Sequence, residues 1–243
     1  MAVQSRSGSN LMQTFEITRE ITDAITKRRG HVHPHEQFDP AKTALLVVDM
    51  QNYFVSEDEP TGCGPAQEIT PNINRLASAL RAAGGAVVWI VTEATEEANE
   101  SWKNFYETLS EEGAENRRKV LVPGQSAYEI WPKLEVPDGD THFVKARYSA
   151  FLKAPGGDLE AILRDAGIET LIVTGVASNV CCESTARDAM MVGFRTIMVS
   201  DGNAAYTLEA HEATMRGFLT TFGDVQSTDQ LLGTIGRRAE AAE

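Results

Sequence analysis

Three polar residues of the chain each follow an apolar stretch that predicts a strand, and together they could form a nucleophilic site. These residues are Asp49, Lys145 and Cys181. A cysteine that attacks a carbonyl carbon needs a base for its proton and donors for the oxyanion that forms. A carboxylate can take the proton, and an ammonium nearby can hold both the carboxylate and the sulfur in their charged forms. The sequence therefore predicts an acyl-transfer site built from Asp49, Lys145 and Cys181.

Cys181 lies in a turn between a predicted strand, residues 170–173, and a predicted helix, residues 183–192. Unpaired N–H groups and the positive end of the helix dipole collect at a helix start, and both favour a thiolate. The backbone amides of Ala177 and Cys181 flank this turn and are candidate oxyanion donors. Neighbours on a helix point about 100° apart, so Cys182 is predicted to be a packing residue.

Apolar runs along the chain alternate with amphipathic segments that end at glycine. The predicted strands are residues 43–49, 86–91, 142–145, 170–173 and 194–199. This alternation predicts a mostly parallel central sheet with helices on both faces, a three-layer αβα fold. Ligands of such sheets bind outside the carboxyl ends of the strands, which is where the three polar residues are expected.

Residues 93–122 are polar and charged but contain embedded aromatic side chains, and they predict a long excursion that covers the site. Arg147 could hold a substrate carboxylate or form a surface ion pair. Aromatic residues in the excursion and after the third strand are candidate pocket walls. They are Trp102, Phe105, Tyr148 and Phe151.

The ends of the chain are predicted to lie outside the main domain. We expect an N-terminal arm over residues 1–40, one domain over residues 41–236 and a C-terminal tail over residues 237–243. Because no cysteine or carboxylate completes a tight ligand spacing, a solvated loop is favoured over a metal site for the alternating histidines of the arm. These histidines are His31, His33 and His35.

The charge of the chain limits its expected partners. A net charge of −13 argues against nucleic acid and against an anionic membrane surface. The longest apolar runs are too short to span a bilayer, and residues 1–18 lack the apolar core of a secretory signal. Three cysteines, two of them adjacent, are a poor disulfide framework and favour a reducing cytoplasm.

Three segments of the predicted domain resemble the isochorismatase-like cysteine hydrolases. They are residues 45–52 (LLVVDMQN), 145–151 (KARYSAF) and 175–188 (GVASNVCCESTARD), which occur in the order found in that family. The resemblance covers about residues 41–225. It implies an α/β hydrolase that uses an aspartate, a lysine and a cysteine, with a cis peptide bond between Val176 and Ala177. It also implies a homodimer or a homotetramer.

Within that family, the segments are most similar to the ureidoacrylate and N-carbamoyl amidohydrolases. Nicotinamidases carry a metal site soon after the first segment, and residues 53–64 contain no histidine, so we expect no metal and no cofactor. True isochorismatases lack the cysteine. The expected reaction is cleavage of the C–N bond of a small linear amide, a ureido or carbamoyl acid. Ser178 and Cys182 depart from the usual threonine and valine of the branch.

Three other interpretations remain open from the sequence. The protein could hydrolyse another small amide of the family, as a nicotinamidase-like or maleamate-like enzyme. It could be a redox protein whose adjacent thiols, Cys181 and Cys182, cycle to a disulfide. It could also be a binding domain that keeps the fold without turnover, although the complete set of three polar residues argues against this.

Overall fold

The computed structural model describes residues 12–240, and among these residues six strands form one parallel sheet. The remainder of the predicted arm (1–11) and of the predicted tail (241–243) lies outside the described residues. The strands are β1 (Thr43–Val48), β2 (Ala86–Thr92), β3 (Thr141–Lys145), β4 (Thr170–Val176), β5 (Arg195–Ala204) and β6 (Asp224–Gln226). Their order across the sheet is β3-β2-β1-β4-β5-β6.

Helices cover both faces of the sheet, which confirms the predicted three-layer αβα fold. They are α1 (Arg19–Arg29), α2 (Asn52–Val55), α3 (Pro65–Glu68), α4 (Thr70–Ala82), α5 (Glu96–Ser101), α6 (Lys103–Tyr106), α7 (Glu111–Val120), α8 (Leu159–Asp165), α9 (Glu183–Met191), α10 (Leu208–Thr221) and α11 (Thr228–Glu240).

Alternate residues of the strands point to opposite faces and divide the core into two layers. On β1, Leu46 and Val48 pack with α1, α8, α9 and α10, while Leu45 and Val47 pack with α3, α4 and α11. Every residue of β1 is buried, which explains why the run is apolar throughout instead of alternating.

The elements of the described chain that were not predicted from the sequence include β6, α1 and α11. Strand β6 is three residues long and has one apolar residue, Val225, so it carries no periodic signal. Helix α1 falls within the predicted arm and buries Ile21 and Ile25, four residues apart, against the main core. Helix α11 continues to Glu240, so the predicted tail begins inside this helix.

The histidine-containing loop after α1 docks on β6. The Nδ1 atom of His33 lies 2.8 Å from Oδ1 of Asp224, and the backbone N–H of His35 donates to Oδ2 of the same carboxylate at 3.1 Å. Asp224 is fully buried and holds the loop at His33 and His35, which are half-buried, while His31 is exposed as expected of a solvated loop. Within residues 12–240, no three His, Cys, Asp or Glu side chains are grouped to hold a metal ion.

The order of the strands reverses between β1 and β4, and this is the point where parallel sheets bind their ligands. Gly175 lies beside Val48 with a φ of 120°, and a Cβ atom at this glycine would lie 2.0 Å from the Val48 carbonyl oxygen. Glycine therefore lets β4 approach the end of β1 closely. Asp49 follows at once, also with a positive φ, 54°.

No helix within residues 12–240 combines the length and the apolar character needed to traverse a lipid bilayer.

Candidate active site

The carboxylate of Asp49 and the ammonium of Lys145 form a buried ion pair at the carboxyl ends of β1 and β3. Lys145 Nζ donates to Asp49 Oδ2 at 2.8 Å, to Thr92 Oγ1 at 2.6 Å and to the Arg147 carbonyl at 3.0 Å. Thr92, the last residue of β2, donates its own hydroxyl to Asp49 Oδ1 at 2.7 Å. All three ammonium protons and both carboxylate oxygens therefore have partners, as a buried ion pair requires.

Gln51 holds Thr92 in place from the other side. Its side-chain oxygen accepts from the Thr92 backbone N–H at 2.7 Å, and its amide nitrogen donates to the carbonyls of Thr92 (3.1 Å) and Tyr128 (2.8 Å). The glutamine is fully buried. The ends of β1 and β2 are thus tied together, and this fixes the hydroxyl that Asp49 and Lys145 share.

Cys181 lies beside this ion pair, in a short π-helical turn (Ser178–Cys182) between β4 and α9. Burial, together with the negative charge of Asp49, raises the pKa of the Cys181 thiol to about 12, while Lys145 and Arg117 oppose the rise. Burial therefore opposes the thiolate that the helix start favours. The thiol keeps its proton and is hydrogen-bonded to Asp49.

Lys145 keeps its charge in this buried position. Burial alone would lower the pKa of Lys145, but the charge of Asp49 and the hydrogen bond to Asp49 raise it above its ordinary value. A protonated lysine thus neutralises the aspartate at rest. The Cys181 thiol can therefore pass its proton to the carboxylate of Asp49, whose negative charge Lys145 compensates.

The turn that carries Cys181 begins with a cis peptide bond between Val176 and Ala177, as the family resemblance implied. The Ala177 carbonyl accepts from the N–H groups of Val180 (3.0 Å) and Cys182 (3.2 Å), while its own N–H has no hydrogen-bond acceptor within residues 12–240. The amides of Ala177 and Cys181 therefore remain the candidate oxyanion donors, and both residues line the cavity described below.

A buried histidine supports the same turn. Burial lowers the pKa of His211 to about 4, so the ring is neutral. Its Nε2 lies 3.0 Å from the Ser200 carbonyl and must donate to it, so its Nδ1 accepts from the Ser178 hydroxyl at 2.9 Å. This link joins α10 to the residue that follows Ala177.

A cavity of about 250 Å³ opens above Cys181. Its volume falls slightly below the range of about 300–1,000 Å³ that is usual for ligand sites, and it suits a small molecule. Asp49 and Lys145 lie beneath the Cys181 sulfur and do not line the cavity. The lining residues are Tyr53, Phe54, Thr61, Phe105, Leu109, Arg117, Tyr148, Val176, Ala177, Val180, Cys181 and Tyr206.

Comparison with known proteins agrees with this geometry. The model of the isochorismatase domain matches residues 43–230 of the chain. The chain belongs to the isochorismatase family.

Relatives in this family include amidohydrolases. The ureidoacrylate amidohydrolase RutB of Klebsiella pneumoniae is 30% identical over 84% of this chain and 92% of its own length. RutB of Caulobacter vibrioides is 32% identical over 83% of this chain and 94% of its own length. Among solved structures, a cysteine hydrolase from Pseudomonas syringae superposes with a TM-score of 0.73 at 25% identity, over 83% of this chain and 95% of that one.

The structure separates the predicted pocket residues of this isochorismatase-family chain into three groups. Phe105 and Tyr148 line the cavity with Cys181. Trp102 stacks on Phe105, with ring centroids 4.2 Å apart, and lies with Arg147 in a neighbouring outer groove. Phe151 lies away from the cavity and packs on Phe194 in the core.

Arg147 lines the outer groove and not the cavity that contains Cys181. Its guanidinium donates to the Ser101 hydroxyl at 2.6 Å and lies 5.0 Å from the centre of the Trp102 ring. No salt bridge joins it to another residue within 12–240, and it does not line the cavity with Cys181. This arginine fastens the excursion to the loop after β3.

Thr92 and Arg117 are among the polar residues of the site that sequence reasoning missed. Thr92 could have been found, because it is a polar residue at the end of a predicted strand, as Asp49 is. Arg117 gave no usable signal, because it belongs to a run of three basic residues, Arg117-Arg118-Lys119, on a highly charged helix. Only the packing of α7 turns the first of them into the cavity.

The other two cysteines of the chain lie apart from the cavity lining. All three thiols are unpaired. Cys182 is fully buried, with its sulfur 3.9 Å from the Thr174 carbonyl, and it packs in the core as predicted. Cys63 precedes α3, and burial raises the pKa of its thiol to about 11.

Proposed function

We propose that this protein hydrolyses the C–N bond of a small linear amide, a ureido or carbamoyl acid, through a thioester on Cys181. The observation that carries the proposal is the thiol of Cys181 at the floor of a small cavity, hydrogen-bonded to Asp49, which Lys145 and Thr92 hold. The RutB relatives, which are ureidoacrylate amidohydrolases, support the choice of substrate class.

In the first half of the reaction, the sulfur bonds to the carbonyl carbon while the thiol proton moves to Asp49. The electron pair of the C=O bond moves to oxygen, and the amides of Ala177 and Cys181 stabilise the oxyanion. When the carbonyl re-forms, the C–N bond breaks and Asp49 returns the proton to the departing nitrogen. Ammonia or an amine leaves, and the acyl group stays on the sulfur.

In the second half, water attacks the thioester and gives a proton to Asp49. The C–S bond breaks, the acid is released and the sulfur recovers the proton. Lys145 stays protonated throughout, because its pKa is raised, and it balances the charge that alternates between Asp49 and the sulfur. No step requires a metal or an organic cofactor.

Replacing the nucleophile tests the proposal. Cys181→Ala is expected to fold and to abolish ammonia release from 3-ureidopropanoate and related ureido and carbamoyl acids, while Cys182→Val keeps most of the activity. Retained hydrolysis in Cys181→Ala would overturn the assignment. Loss of activity in Cys182→Val, with the fold intact, would favour the dithiol redox interpretation instead.

Three further measurements test the chemistry itself. A wild-type enzyme that is quenched during turnover is expected to carry the acyl group on the peptide containing Cys181, detected by mass spectrometry. Asp49→Asn is expected to slow hydrolysis by about 100-fold or more, the usual scale for the loss of a general base. A chelator is expected to leave the rate unchanged, and a loss that zinc restores would contradict the metal-free reaction.

A further inference from the structure

The cavity above Cys181 contains a cation that the proposed reaction does not use. Arg117, on α7, is 8% exposed and lines this cavity. Its Nε atom is buried without a hydrogen-bond partner, and its guanidinium forms no hydrogen bond or salt bridge with any residue of 12–240. Its guanidinium carbon lies 5.1 Å from the centre of the Phe105 ring.

A buried charge without a partner is costly, so a protein rarely keeps one unless a ligand completes it. The described lining of the cavity offers Arg117 no counterion, since it contains no aspartate or glutamate. Asp49 lies beneath the sulfur, and its two oxygens already accept from Lys145 and Thr92. The guanidinium is therefore free to receive an anion from a molecule that enters the cavity.

We propose that Arg117 binds the carboxylate of the substrate, at the end of the molecule opposite to the carbonyl that Cys181 attacks. This rests on the proposed function, and it names the residue that selects acids over neutral amides. A guanidinium offers two parallel N–H donors that match the two oxygens of a carboxylate. Phe105, stacked on Trp102, supports the plane of the guanidinium from one side.

This assignment replaces Arg147, which the sequence offered as the carboxylate ligand. Arg147 donates to Ser101 and lies over Trp102 in the outer groove, away from Cys181. Arg118, the next residue after Arg117, is exposed and lies over the Tyr106 ring, with its guanidinium carbon 4.4 Å from the ring centre. It is the matched control, because the same substitution there changes the same charge on the same helix outside the cavity.

The first test needs no turnover and compares two alkylating reagents of similar size, iodoacetate and iodoacetamide. With each, a bond forms between the Cys181 sulfur and the reagent's CH₂ carbon, the C–I bond breaks, iodide leaves and the thiol proton passes to Asp49. Arg117 also lowers the pKa of the thiol, but this changes both rates alike and cancels in their ratio. Peptide mapping separates Cys181 from Cys63, and fragmentation of the modified peptide in the mass spectrometer separates it from the adjacent Cys182.

The ratio of the iodoacetate rate to the iodoacetamide rate at Cys181 is expected to fall about tenfold or more in Arg117→Met, the scale of one hydrogen bond between charged groups. Arg118→Met is expected to keep the wild-type ratio. A ratio that is equal in wild type and Arg117→Met would overturn the proposal. If Arg117→Met does not fold, Arg117→Gln, which keeps a polar side chain, provides the same comparison.

The second test uses turnover of 3-ureidopropanoate and of its neutral counterpart 3-ureidopropanol. Arg117→Met is expected to lower kcat/KM for the acid by about 100-fold and for the alcohol by less than about threefold, since a lost charged pair costs several kcal/mol. Equal losses on both substrates would overturn the assignment of Arg117. If wild type hydrolyses neither compound, the proposed function fails, and the alkylation ratio still decides the role of Arg117.

Discussion

Two regions meet at the cavity, and they are built in opposite ways. The sheet-edge cluster, Asp49, Thr92, Lys145 and Cys181, stands on the ends of strands or just after them, and its ion pair is fully hydrogen-bonded. The cover segment, residues 93–122, consists of the short helices α5, α6 and α7 and touches the cavity through Phe105, Leu109 and Arg117.

We infer from this difference that the sheet-edge cluster provides the reactivity and the cover segment provides the selectivity for substrate. The sheet-edge cluster is rigid because the backbone hydrogen bonds of the parallel sheet fix the strands, and removing one member of its ion pair leaves the other charge buried and unpaired. The helices of the cover segment have 6, 4 and 10 residues, too short to be stable alone, so packing of aromatic rings holds them. We expect substitutions in the first region to alter stability and kcat, and substitutions in the second to alter KM.

Lys145→Met is expected to show the largest effect on stability. It leaves the buried Asp49 carboxylate without its cation and lowers the free energy of unfolding by about 3–5 kcal/mol, measured by denaturant titration. Lys103→Met, the same substitution at an exposed position of the cover segment, serves as the control and should be neutral. The double variant Asp49→Asn/Lys145→Met should recover most of the stability but no activity. If Lys145→Met alone were as stable as wild type, the proposed difference between the sheet-edge cluster and the cover segment would be contradicted.

Thr92→Val is expected to have the next largest effect. It keeps the shape of the side chain but removes the donor to Asp49 and an acceptor for Lys145, which costs about 1–3 kcal/mol of unfolding free energy. We expect kcat to fall about tenfold as the carboxylate loses its orientation. Thr95→Val, which removes only the N-cap of α5, should leave kcat unchanged, and an equal fall there would contradict the separation.

Phe105→Ala tests the cover segment directly. The substitution removes the ring that supports Arg117, so KM for 3-ureidopropanoate is expected to rise about tenfold while kcat changes less than twofold. Stability should fall by less than in Lys145→Met, because Phe105 is only half-buried. Tyr106→Ala is the control, since Tyr106 does not line the cavity. A fall in kcat that matches the fall in kcat/KM would show that the cover segment takes part in the chemistry.

The smallest effect is expected from pH. Lys145 and Cys181 both hold their protons at neutral pH, because the pKa of each is raised, that of Cys181 to about 12. Neither group titrates between about pH 6.5 and 9, so kcat/KM should change less than about twofold in that window. A rise centred near pH 8 would indicate a thiolate formed before substrate binds, and would mean that the cluster is less buried than the structure describes.

The sequence by itself determined the parallel sheet, the strand that ends at Asp49 and the turn that carries Cys181. Burial on both faces leaves a continuous apolar run, as in β1, and polar residues at strand ends meet at one edge whatever the details of the loops. Lys145 was predicted in the same way, as a polar residue at the end of a strand. Thr92 could have been predicted by this rule as well.

Only the tertiary structure decided the protonation of Cys181, the place of Arg117 in the cavity and the exclusion of Arg147 from it. The pKa of the thiol depends on how completely distant segments desolvate it, and local sequence does not encode that burial. The direction of an arginine on a charged helix depends on which face packs against the sheet edge. The sequence did not predict β6 because this strand is also defined by distant segments. Its pairing with β5 and its contact with His33 join residues far apart in the chain.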